Sequence, residues 1–214
     1  MSDRLALFGG TFNPIHRGHV TVGRAAIERL ELGRLVLVPS GSPPHKRPAN
    51  LAPGADRLAM CRLAVADDPR IVVSDVELRS SQPSYTVTTL STFHAEHPEA
   101  ELLLLVGADM VRDFHKWRRH EEVARLARIV TLPRPGVELG ELSELRRSLG
   151  DAAVDRLLAD VLDTPRVEVS STEVRRRVAA GEPIDDLVPA AVARYIAEHG
   201  LYGGAGEPGK RQSM

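Results

Sequence analysis

The chain has 214 residues, 43% hydrophobic and 27% charged, the proportions of an ordinary globular domain. Its net charge of −1 lacks the basic excess that binding to phosphate backbones requires, and no apolar run approaches the roughly 20 residues of a membrane span, so neither nucleic acid nor membrane is an expected partner. A single cysteine, Cys61, excludes an intramolecular disulfide and a cysteine metal cage, and with no signal pattern at the N-terminus it predicts a reduced, cytoplasmic setting.

Residues 5–8 form a first short apolar strand. The segment Gly9-Gly10-Thr11-Phe12-Asn13-Pro14-Ile15-His16-Arg17-Gly18-His19 follows, and Val20, Gly23, Ile27 and Leu30 then recur at helical spacing. Further strand patterns lie at 34–38, 71–76, 102–106, 129–132 and 166–169, mostly separated by amphipathic stretches of helical length. This alternation predicts an α/β fold, a Rossmann-like doubly wound parallel sheet with helices on both faces. The continuous apolar run at 102–106 suits a central strand buried on both sides. Residues 39–54 form a long proline-rich loop, unusual in a compact domain unless it has a function. Two helical patterns near 137–162, with no strand between them, predict a helical insertion packed on one side. Cys61 falls within a helical pattern and reads as a core thiol. A single domain over 1–202 is expected, with a Gly-rich, polar tail at 203–214 that is disordered.

A strand, a glycine turn and a helix start make the physical setting for an anion. Gly9 and Gly10 let backbone N–H groups approach a ligand closely, and the helix N-terminus adds unpaired donors and partial positive charge. The glycine spacing fits neither the dinucleotide fingerprint nor the P-loop. His16 and His19 admit three readings: donors to phosphate, two zinc ligands that lack a local third, or surface histidines of a structural turn. Phosphate donors account best for the glycines beside them. A second anion setting opens at Ser170, where Glu173 three residues on completes a capping-box pattern. It leaves Ser171, Thr172 and Arg175 for anionic oxygens, with Arg176 and Arg177 as a solvated helix face.

Taken together, Gly-Gly-Thr-Phe-Asn-Pro-Ile-His-x-Gly-His and the later Ser-Ser-Thr-x-x-Arg resemble the nucleotidyltransferase superfamily of the His-x-Gly-His type. Within it the chain resembles the bacterial nicotinate-nucleotide adenylyltransferases. Pro43-Pro44-His45-Lys46, Pro83-Ser84-Tyr85-Thr86, Gly107-Ala108-Asp109, Trp117 and the ending Gly200-Leu201-Tyr202 extend the likeness over residues 5–202. The resemblance implies that ATP and nicotinate mononucleotide, with Mg2+, give nicotinate adenine dinucleotide and pyrophosphate in NAD biosynthesis. Attack is direct and in line, with no covalent intermediate. It implies an ATP site of Gly9, Gly10, Thr11, Phe12, His16, His19, Lys46, Gly107, Asp109, Ser171, Thr172 and Arg175. Of these, His16, His19, Lys46 and Arg175 would act on the reacting phosphates, and Asp109 would accept from ribose hydroxyls. It implies a nicotinate mononucleotide site of Tyr85, Thr86 and Trp117, with Trp117 stacking on the pyridine ring. No protein side chain is expected to hold the metal, which phosphates would carry.

Asn13 departs from the pattern of many relatives, which carry Asp there; this makes a metal-ligand role for position 13 less apt and leaves catalysis intact. Preference for the nicotinamide mononucleotide, another adenylyltransferase such as the phosphopantetheine enzyme, and a non-catalytic nucleotide sensor are the competing readings. Asp109 could instead cap the helix after the central strand, and Trp117 could stack on an arginine. Either a monomer or a homodimer is compatible with the sequence.

Overall fold

A computed structural model describes residues 4–41, 50–80, 82–134, 136–165 and 167–203. Five strands are present among them: β1 (Arg4–Gly10), β2 (Arg34–Pro39), β3 (Ile71–Val73), β4 (Glu101–Gly107) and β5 (Arg128–Leu132). All pair in parallel, in the order β3-β2-β1-β4-β5. The chain therefore winds outward in both directions from β1 and β4. The boundary between those two strands is the switch point beyond whose carboxyl ends ligands bind in such sheets.

Side-chain alternation along the strands builds two cores. Ala6, Phe8, Leu35, Leu37, Leu103 and Leu105 face one side. There they meet helices α1 (Arg17–Arg29), α2 (Gly54–Ala64), α8 (Ser171–Ala179) and α9 (Ala190–Glu198). Leu5, Leu7, Val36, Val38, Leu102, Leu104 and Val106 face the other side. That face is covered by α3 (Thr86–Glu96), the short helix α4 (Ala108–Arg112), α5 (His120–Leu126), α6 (Ser143–Leu149) and α7 (Asp151–Ala159). Because both faces are buried, the strands read as unbroken apolar runs rather than alternating ones. Cys61 is fully buried on α2, and burial pushes its thiol up, as for a core residue.

The expected insertion at 137–162 is the α6–α7 pair. Leu145, Val154 and Leu157 bury its apolar side against the second core. The expected third strand is shorter than 71–76: a turn follows Val73, in which Leu78 N–H donates to Asp75 O. The strand expected at 166–169 does not form over the described residues 167–169. Instead Val161 makes a single parallel bridge to Thr131 at the β5 edge. Val169 N–H then turns back to Val167 O, and Val169 packs on the first core. Those valines are apolar because they cover helix α1 and the first core, not because they extend the sheet. Residues 204–214 of the expected tail lie outside the described residues.

Candidate active site

The cleft at the switch point has a volume of about 2070 Å³, larger than the 300–1,000 Å³ usual for one drug-sized ligand. Gly9 and Gly10 at the end of β1, Gly107 at the end of β4, and the start of α8 all line it. A Cβ at Gly9 would meet nothing within 4 Å, so the bare backbone faces open space.

His16 is the N-cap of α1, and His19 lies one turn in. Their rings stack at 3.7 Å between centroids. His19 Nδ1 accepts from the His16 backbone N–H at 3.3 Å. That bond assigns the proton of neutral His19 to Nε2, the nitrogen left for a ligand. His16 is 8% exposed, and its Nδ1 is buried with no partner among the described residues. Burial, helped by the positive Arg134, lowers His16 to about 4. Burial first, then the charges of His16 and Arg134, hold His19 well below the usual imidazole range. Both rings are therefore neutral at pH 7 and able to donate one N–H each.

The turn between β1 and α1 is held by side chains at three of its carbonyls. Arg57 Nη1 donates to Thr11 O, Arg175 Nη1 to Asn13 O at 2.6 Å, and Ser171 Oγ to Pro14 O at 2.8 Å. Arg175 Nη2 donates to Thr172 Oγ1 at 3.2 Å, which leaves three of its five N–H groups for other acceptors. Ser170 caps α8 by accepting from Glu173 N–H, but the Glu173 carboxylate is taken by Arg176 and Arg177 rather than completing the box. Asn13, 2% exposed, is a structural joint. Its Nδ2 donates to Asn50 O, and its Oδ1 accepts from Ala52 N–H and the Tyr202 hydroxyl. The amide donor explains why Asn suits this position: a carboxylate would set a second acceptor against Asn50 O.

Across the cleft, Asp109 is the second residue of α4, whose N-cap is Gly107. Arg134 Nε lies 3.1 Å from Asp109 Oδ1, an ion pair with the N–H aimed off the oxygen, so that buried oxygen keeps an unmet acceptor. A Cβ at Gly107 would sit 2.7 Å from Asp109 Oδ1 and 3.2 Å from Arg134 Nε, so only glycine leaves room for the pair. Tyr85, Thr86 and Trp117 line the same cleft. Trp117 packs edge-on to Phe114 at 5.1 Å and stays half-buried. The arginine that stacks there is Arg118, 4.6 Å over the Tyr85 ring, not over Trp117.

Of the residues expected in the ATP and mononucleotide sites, all but Lys46 line this one cleft; Lys46 lies outside the described residues. Arg134 and Arg57 are additions that sequence reasoning passed over. Arg134 follows β5, at a carboxyl end of the sheet, and that position was the available signal. Arg57 sits in an apolar helical pattern and gave none.

A cytidylyltransferase-like family pattern matches residues 7–177. A protein of Synechococcus sp. (strain JA-3-3Ab) named "Probable nicotinate-nucleotide adenylyltransferase" is 40% identical over 199 residues, 93% of this chain and 94% of that one. One of the same name from Neisseria meningitidis serogroup B is 40% identical over 200 residues, 93% and 98% of the two chains. The chain belongs to the nicotinate-nucleotide adenylyltransferases. The fold is also that of the Plasmodium falciparum nicotinic acid mononucleotide adenylyltransferase complexed with NaAD, at a TM-score of 0.74 and 19% identity over 94% of this chain and 97% of that one. No helix among the described residues is long and apolar enough to cross a membrane.

Proposed function

We propose that this chain transfers the adenylyl group of ATP to nicotinate mononucleotide, giving nicotinate adenine dinucleotide and pyrophosphate, a step of NAD biosynthesis. The observation that carries the reading is the pair of stacked imidazoles at a helix N-terminus, in a cleft of about 2070 Å³. An oxygen of the mononucleotide phosphate attacks the α-phosphorus of ATP. That P–O bond forms as the bond from the α-phosphorus to the bridging oxygen breaks, and the electron pair leaves with pyrophosphate. Such transfers need alignment and neutralisation of charge more than covalent chemistry.

In this reading His19 Nε2–H and an N–H of His16 donate to oxygens on the transferring phosphorus. Backbone N–H groups of residues 9–12 meet the triphosphate. The spare N–H groups of Arg175, with Thr172 and the first turn of α8, hold the leaving pyrophosphate. Ser171 serves by fixing Pro14 O rather than by spending its hydroxyl on phosphate. Lys46 would approach from the proline-rich loop. Asp109, which lines the cleft with its other carboxylate oxygen exposed, accepts from a ribose hydroxyl. Trp117 stacks on the pyridine ring, with Tyr85 and Thr86 beside it. Donors fixed before the reaction stabilise charge that develops in the transition state.

ATP is taken as its magnesium complex. No group of three His, Cys, Asp or Glu side chains converges on a point among the described residues. A magnesium ion that rides on phosphates and keeps several waters is compatible with that donor set. We propose a cytoplasmic setting and either a monomer or a homodimer. The test is pyrophosphate release from ATP, magnesium and nicotinate mononucleotide; no release with either nicotinate or nicotinamide mononucleotide would sink the proposal.

A further inference from the structure

Arg57 is 1% exposed on α2 and does not line the cleft, yet it reaches the turn that does. Its Nη1 donates to Thr11 O at 2.8 Å and its Nε to Ala52 O at 3.0 Å. Among the described residues it forms no ion pair. Glu77 acts on it only at a distance, and the nearby Tyr202 and Cys61 are held neutral by burial. A buried cation without a counter-ion is unfavourable unless its hydrogen bonds replace the water it loses, and Arg57 donates to two backbone carbonyls that an apolar side chain would leave unpaired. The fork on those carbonyls is therefore what keeps a guanidinium at this place.

The residue it holds supplies the reason. Thr11 O and Phe12 N–H belong to one trans peptide and point in opposite directions; Asn13-Pro14 is the cis bond of this turn. Drawing the carbonyl into the core with Arg57 turns the Phe12 N–H the other way. Phe12 itself has φ 45°, in the left-handed region that a side chain disfavours. Its ring is buried, and it packs edge-on to His19 at 5.0 Å between centroids. Ala52, the second anchor of Arg57, also donates its N–H to Asn13 Oδ1. One guanidinium thus fixes the strained residue under His19 and the chain that braces it.

We propose that Arg57 is a positioning residue for ATP: its fork on Thr11 O and Ala52 O holds the turn in its anion-binding shape, and its buried charge faces the triphosphate from behind. The inference rests on the adenylyltransferase reading. The test measures steady-state kinetics and binding of α,β-methylene-ATP with magnesium for wild type, R57M and R57K, at a temperature where urea titration finds each folded. R57M is expected to lower kcat/KM for ATP at least tenfold and to weaken binding of the methylene analogue about as much. The KM for nicotinate mononucleotide should stay within about twofold. R57K keeps the charge but cannot fork to both carbonyls, and is expected to lose three- to tenfold on the ATP side only. Wild-type ATP kinetics in R57K, or losses spread evenly over both substrates, would overturn the proposal; R57K decides the matter alone if R57M does not fold. Wild-type protein that binds the analogue without turning over would overturn the activity, and Arg57 would then stand or fall on binding.

Discussion

Acidification should destabilise the ligand-free protein through the two imidazoles of the turn. An unfolded chain carries histidines that titrate near 6.5, whereas burial lowers His16 to about 4 and holds His19 well below its usual range. Between those values the unfolded state binds protons that the native state refuses, so stability falls as pH falls from about 6.5 toward 4. At 1.36 kcal/mol per pH unit, His16 alone accounts for about 3 kcal/mol across that window. His19 adds to it in the same direction. Carboxylates titrate there too, so the comparison needed is with a His16→Gln/His19→Gln variant. Urea unfolding at pH 7.5 and 4.5 should show wild type losing about 3 kcal/mol or more relative to that variant. A difference between the two proteins that does not change with pH would refute the desolvated, neutral state of the two imidazoles.

The other predictions concern single side chains. His19→Ala should stay folded and lose about 10²–10³ in kcat, the scale of one removed transition-state donor; normal turnover would dismiss its role. Trp117→Ala should raise the KM for the mononucleotide far more than that for ATP, and equal effects would remove the stacking. Asn13→Asp replaces the donor to Asn50 O with an acceptor at a buried site, which should destabilise by about 1–3 kcal/mol in urea titration. Tyr202→Phe removes one of two donors to Asn13 Oδ1, so its stability loss should be smaller, about 1 kcal/mol.

The parallel sheet was legible because burial on both faces leaves apolar runs that nothing else in a chain of this length explains. The missing strand at 167–169 shows the limit of that argument. Valines covering a helix and valines extending a sheet look alike when the run is four residues long. Around the cleft, glycines and histidines carried the signal, since their types are tied to backbone freedom and to donor chemistry. The bracing of the turn was not legible. Arg57, Asn13 and Tyr202 lie at widely separated positions, and their meeting depends on tertiary packing. Nor could sequence tell that Ser171 and part of Arg175 hold backbone carbonyls. A donor reads the same whether its acceptor is a phosphate or a peptide.

The central claim is adenylyl transfer to a nicotinate mononucleotide at this cleft. It is tested most directly by incubating the purified chain with ATP, magnesium and nicotinate mononucleotide, then measuring pyrophosphate and the dinucleotide together. Equal amounts of the two products, dependent on the mononucleotide, are the predicted result. Neither product from nicotinate or nicotinamide mononucleotide, by a protein that is folded, would contradict the account.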